Sequence, residues 1–210
     1  MLLTGCGCTR GDSSGRVYVD AVFCNIPIHS SACPFLAIML RGLIHLDHVL
    51  NFGASPSPGI FGRVADVAVH IYLHRGIEAV IKWVDDFVFL RYPICRLPNG
   101  TYEFKYVAEL IWSVADELGW PWAPEKFVDF STSFTYIGFL WDLSAKLVEL
   151  PKKKKEKYIE CLSTLKHNSF HTLKEVETII GTLNHVCLVV PEGRSHLVSL
   201  FKFQAGLHHQ

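Results

Sequence analysis

Apolar and polar positions alternate along RVYVDAVF (16–23), with Val and aromatics over-represented, which is the period of a half-buried strand. IPIHSSACP then breaks the pattern. FLAIML (35–40) and LIHLDHVL (43–50) read as two more extended segments, and NFGASPSPG (51–59) as a loop dense in Gly, Ser and Pro. From Gly59 the period changes to that of a helix, with Ile60, Phe61, Val64, Val67, Ala68 and Ile71 on one face and Gly76 at its end. AVIKWV and FVFL are two strands, and the natural connection is a hairpin with Asp85 and Asp86 at its tip.

A second helix is predicted from Tyr106, Val107, Leu110, Ile111, Val114 and Leu118, stopped by Gly119 and Pro121. FTYIGFLW and KLVEL then form a hairpin around DLSA. Beyond residue 150 the pattern is helical throughout. Pro151 suits a first helical position, and Tyr158, Leu162 and Leu165 give that helix an apolar face. Thr172 and Glu175 have capping-box spacing ahead of a stripe of Leu173, Val176, Ile179, Ile180, Leu183 and Val186. Pro191 and Gly193 precede a last helix carrying Leu197, Leu200 and Phe201. The order predicts an α+β fold, an antiparallel sheet with helices on one face over residues 17–150, followed by a small helical subdomain over 151–205. Residues 1–16 are small, polar and Gly-rich and read as disordered. No internal repeat is visible.

Composition narrows the field only a little. Half of the 210 residues are hydrophobic, enough for a sizeable core, and twenty basic residues balance twenty acidic ones. A nucleic-acid partner would therefore have to be held by local patches. Seven cysteines are scattered with no C-x-x-C pair, which argues against a zinc ribbon or a disulfide framework and for an intracellular chain with reduced thiols. The longest apolar run, CPFLAIMLRGLI, is interrupted by Arg41 and falls short of the roughly 18 residues of a membrane span. The N-terminus lacks the basic start and apolar stretch of a secretory signal.

The candidate chemistry sits in KWVDDFVFL (82–90), where two adjacent carboxylates interrupt apolar strand sequence. Burying like charges together is costly unless a cation pairs with them. A carboxylate-bearing hairpin tip suits Mg²⁺, a hard ion that takes oxygen ligands. The plainer alternative is an acidic, solvated turn. His70 and His74 have i, i+4 spacing but no third ligand, and are read with His45 and His48 as surface residues.

Five stretches, taken together and in order, resemble the palm and thumb of retrotransposon reverse transcriptases: VDAVFCNIPIH, LNFGASPSPGIF, WVDD, PEKF, and FTYIGFLWD followed by LP and a lysine run. The resemblance implies an RNA-directed DNA polymerase that uses two Mg²⁺ (or Mn²⁺) ions about 4 Å apart to transfer dNTPs onto a primer on an RNA or DNA template. It makes Asp85 and Asp86 metal ligands. Phe23 would crowd the 2′ position of the incoming sugar, and Phe52 and Gly53 would line the nucleotide site. Lys126 would be the general acid for the departing pyrophosphate. Lys152–Lys155 and Lys157 would meet primer or template phosphates. Phe23 also reads as an ordinary core residue, Gly53 as a turn glycine, and the lysines as a solvated helix start.

The resemblance breaks at one catalytic position. The family's first palm strand carries an aspartate nine residues before the proline of its IP pair, and here that position is Tyr18. A phenol titrating at about 10 is a poor Mg²⁺ ligand. Asp20 is the substitute candidate, on the same face of the strand but displaced along it by roughly 6.6 Å. The fingers region and a ribonuclease H region have no counterpart in the sequence, so the resemblance also implies a truncated copy. Three expectations stand: a polymerase, a binding module that holds nucleic acid or a partner without chemistry, and a remnant whose exposed palm surface would need covering.

Overall fold

Strand β1 (Ser13–Tyr18) is the spine of the fold. It pairs antiparallel with β5 (Asp86–Arg91) on one side and with β8 (Val128–Ser131) on the other. β4 (Ala79–Trp83) completes an antiparallel sheet of order β4-β5-β1-β8. The computed structural model describes residues 11–163 and 171–207. Within them the chain divides into two compact units, one of Thr9–Thr132 and one containing Ser133–Gln210. That division precedes residue 150, where the hydrophobic pattern alone places the start of the helical subdomain.

In the first unit, α1 (Ser57–His74) and α2 (Ala108–Leu118) supply the helices that share the core with the sheet. Val17, Phe87 and Phe89 are wholly buried and pack with Phe61, Ala65 and Tyr72 of α1 and Ile111, Val114 and Ala115 of α2. The Tyr72 hydroxyl donates to the Ile111 carbonyl at 3.2 Å and accepts from Trp122 Nε1 at 3.0 Å, so its burial leaves no unpaired polar atom. α2 ends at Gly119, whose φ of 62° is the left-handed cap that glycine takes without a Cβ penalty. Two separate hairpins complete the unit: β2 (Ala37–Leu40) with β3 (Leu43–Leu46), and β6 (Pro93–Arg96) with β7 (Tyr102–Phe104).

The second unit has a three-stranded antiparallel sheet, β9 (Ser133–Tyr136), β10 (Phe139–Asp142) and β11 (Leu147–Glu149). Helices α3 (Lys152–Ser163), α4 (Leu173–Val186) and α5 (Arg194–Leu207) follow. The capping box at α4 forms as its spacing predicts: Thr172 Oγ1 accepts from Glu175 N at 3.3 Å, and Glu175 Oε2 accepts from Thr172 N at 2.8 Å.

Several expectations need correction. The first strand spans residues 13–18, not 16–23. Residues 13–16, expected to be disordered, are strand, with Ser13 and Ser14 buried. Asp12, also in the segment read as disordered, is buried, and residues 1–10 lie outside the described residues, as does Leu165. α1 is rotated from its expected face: Phe61, Ala65, Ala68 and Tyr72 point inward, while Ile60, Val64 and Val67 are exposed. Two small alanines, Ala65 and Ala68, lie on that inward stripe. FTYIGFLW is not one strand but two, turning at Ile137 and Gly138, both with positive φ. β6, β7 and β8 have no counterpart in the sequence reading.

Candidate active site

The β4–β5 turn brings the carboxylates to the sheet's end. Trp83 pairs directly with Asp86, leaving Val84 and Asp85 as a two-residue connection. Such a turn matches strand twist only when φ is positive, a position glycine normally takes. Here Val84 takes it, at 53°, an outlier for a β-branched residue and a place where strain is stored. Asp85 is half-buried, and its carbonyl accepts from Val19 N at 2.9 Å, tying the turn to the end of β1. Asp86 opens β5 and is buried, 9 % exposed, directly across the ladder from Tyr18.

Two side chains of β1 converge on Asp86. Arg16 and Tyr18 are two apart on the strand and so share a face. Arg16 Nε lies 3.4 Å from Asp86 Oδ1. The pair is Coulombic rather than an aligned hydrogen bond, because neither of these two buried atoms makes one. The Arg16 guanidinium donates to the Tyr18 hydroxyl, lies 4.7 Å from the centroid of its ring, and the hydroxyl in turn donates to the Asp86 carboxylate. Burial pushes the Asp86 carboxyl up to about 6, against the opposing pull of Arg16 and Tyr18 and with a small push from Asp85. Burial and the Asp86 charge also raise the Tyr18 phenol above its ordinary value, so it is neutral at pH 7.

These residues do not fit a two-ion Mg²⁺ site. The ion requires oxygen donors, chiefly carboxylates, and Tyr18 offers a neutral phenol. A guanidinium already faces Asp86. Among the described residues, no group of three His, Cys, Asp or Glu side chains is placed to hold an ion.

Asp20 does not remedy this. β1 ends at Tyr18, Val19 bridges to Trp122, and Asp20 lies exposed in the following turn. Its N–H donates to Pro121 O at 2.8 Å, and its carbonyl accepts from Asn25 Nδ2 at 2.7 Å. The face shared by positions 18 and 20 of a continuous strand therefore does not exist. Lys126 is exposed at the end of a single 3₁₀ turn, Pro124–Lys126, anchored to β1 where Ala123 N donates to Tyr18 O at 2.9 Å.

Phe23 is buried in the core, edge-on to the exposed Phe52 ring at 4.9 Å and to Phe61 at 6.2 Å. Ring contacts continue from Phe61 to Trp120 and from Trp120 to Phe87, the residue beside Asp86. Gly53 has φ of 86°, and a Cβ there would meet nothing within 4 Å. Backbone conformation, not crowding, demands that glycine.

No family model and no curated protein matches the chain. Solved structures do. One foamy viral protease–reverse transcriptase bound to an RNA/DNA hybrid superposes with a TM-score of 0.62 at 18 % identity, over 94 % of this chain. Two further structures of that enzyme bound to double-stranded DNA give TM-scores of 0.65 and 0.59 at 22 % and 20 % identity, over 92 % and 94 % of this chain. The fold is reverse-transcriptase-like. The chain spans 27 %, 31 % and 42 % of those three chains respectively. In this reverse-transcriptase-like fold, the sheet carrying Asp85 and Asp86 is consistent with a palm, and the helices after β11 with a thumb.

The lysine run divides at α3. Lys152, Lys153, Lys155 and Lys157 are exposed. Lys154 folds back instead, its Nζ donating to Gly138 O at 3.3 Å and lying 3.4 Å from His185 Nε2. Burial and Lys154 together lower the His185 pKa, favouring its neutral form beside that ammonium. Arg16 is the site residue that the sequence reading missed. Strand spacing puts it on the same face as Tyr18, but only the pairing of β1 with β5 shows that this face meets Asp86.

Proposed function

We propose that this chain is a reverse-transcriptase-like module that binds a primer–template and carries out no nucleotidyl transfer at Asp85 and Asp86. The observation that carries the reading is Tyr18, standing across the β1–β5 ladder from Asp86 where the chemistry calls for a further carboxylate. Binding is supported by the fold neighbours, each in complex with RNA/DNA hybrid or double-stranded DNA. The exposed lysines at the start of α3 are suited to phosphates.

A second reading, Mg²⁺- or Mn²⁺-dependent transfer of dNTPs to a primer, is favoured by the Asp85–Asp86 hairpin, which folds tightly around a strained Val84. It requires a further metal-binding oxygen that neither Tyr18 nor Asp20 supplies.

Fluorescence anisotropy of a labelled RNA/DNA primer–template, in EDTA and across a salt series, tests the first reading. Salt-dependent binding is expected. Replacing Lys152, Lys153 and Lys155 by Gln should flatten the log–log salt slope by about 2 to 3, since each phosphate contact contributes roughly 0.9. A chain that folds but shows no salt-dependent binding would overturn it.

A further inference from the structure

We infer that Arg16 is a built-in cation for the palm carboxylate, taking the place of a divalent ion at Asp86, so that any nucleic acid binds without metal. The inference rests on the reading above but concerns a different residue, and it makes a separate claim: Tyr18 is not the only obstacle to metal binding.

The geometry is specific. Arg16 Nε stands 3.4 Å from Asp86 Oδ1, and both side chains are largely withdrawn from water, at 17 % and 12 % exposure. The planar, delocalised guanidinium of Arg16 is the cation best suited to a partly buried carboxylate. It is also held in place. Its Nη2 contacts the Tyr18 hydroxyl, and its Cζ lies 4.7 Å from the centroid of the Tyr18 ring. A Mg²⁺ or Mn²⁺ ion on Asp86 would sit about 2 Å from a carboxylate oxygen. It would then face a fixed positive charge across a poorly hydrated space, where like-charge repulsion is screened least.

Pairing with an internal cation also offsets part of the cost of burying the Asp86 carboxylate. Tyr18→Asp alone then does not create a metal site. The new carboxylate would project from β1 on the same face as Arg16, two residues away, and would be neutralised by it. Arg16 has to be removed as well.

The test is Mn²⁺ binding to the full chain, read by the loss of the free-ion electron paramagnetic resonance signal, with circular dichroism melts to confirm folding. Five proteins are compared: the unmodified chain, Asp86→Asn, Tyr18→Asp, the double variant Arg16→Gln with Tyr18→Asp, and that double variant with Asp86→Asn added. The unmodified chain and Tyr18→Asp should bind Mn²⁺ no more than two-fold differently from Asp86→Asn. The folded double variant should bind at least ten-fold more tightly, and adding Asp86→Asn should abolish the gain. Mn²⁺ binding by the unmodified chain that disappears in Asp86→Asn would overturn the inference. A ten-fold gain in Tyr18→Asp alone would overturn it equally, and neither of these arms requires Arg16 to be removed. Primer–template binding in EDTA is read on the same samples. Its absence would count against the nucleic-acid reading and leave the role of Arg16 to be decided by Mn²⁺.

Discussion

At residue scale, the environment of Asp86 makes its charge conditional. Its carboxyl titrates at about 6 in the folded chain, against an ordinary value of 3.8. Between those values the folded chain retains a proton that the unfolded chain has lost. Stability is therefore highest at the acid end of the window and falls as pH rises through it. Urea midpoints measured across this window should show the fall, and Asp86→Asn, which cannot ionise, should lack this component. An equal slope in both proteins would remove Asp86 as its source. The adjacency of Asp85 and Asp86 is plain in the sequence, and it is the resemblance to reverse transcriptases that singles out Tyr18. The consequence of Arg16 was not legible, because a basic residue in a strand looks like ordinary solvated surface until the partner across the ladder is known. Asp20 was misplaced for a related reason: the alternation of 16–23 continues past Tyr18, but the backbone turns there to bridge Trp122.

At the scale of single elements, the β4–β5 turn and the start of α4 carry opposite expectations. Val84 holds φ at 53°, where a Cβ costs roughly 1–2 kcal/mol, and glycine gives back about 0.5–1 kcal/mol in chain entropy. Val84→Gly should therefore raise unfolding stability by no more than about 1.5 kcal/mol in urea titration, less what is lost from the packing of Val84 against the core, and a net loss would mean that this packing outweighs the strain. Thr172→Ala removes the oxygen that accepts from Glu175 N and should cost about 1 kcal/mol. That capping box was readable because its chemistry is local. The inward face of α1 was not. Ile60, Phe61, Val64, Ala65, Val67, Ala68 and Ile71 make the helix apolar nearly all round, so periodicity alone offers two stripes. The stripe with the alanines is the one buried in the core. β6, β7 and β8 escaped notice because YPICRLPNGTYEF and VDFS are short and mix charges with aromatics, so that their pairing partners rather than their composition make them strands.

At the scale of the whole molecule, the β2–β3 hairpin presents Ile38, Met39, Leu40, Leu43, Ile44 and Leu46 to solvent, all between 47 % and 75 % exposed. Patches of this kind drive association. Light scattering of the purified chain should show concentration-dependent self-association, reduced by the pair Ile38→Lys and Ile44→Glu. Unchanged scattering would place the cause elsewhere. No helix among the described residues is long and apolar enough to cross a membrane, in line with the broken apolar run around Arg41. The reverse-transcriptase-like fold was visible in the order of five short motifs, because the carboxylate hairpin and the two helices of the first unit are signalled locally, while three of the strands are not. Whether the carboxylates do chemistry was less visible, because that depends on what faces them across the sheet. Primer extension on an RNA template with a DNA primer, dNTPs and Mg²⁺ or Mn²⁺ puts that question most directly, with Asp85→Asn as control. The account predicts that folded chain which binds the primer–template adds no nucleotide. Extension by the unmodified chain that vanishes in Asp85→Asn would contradict it.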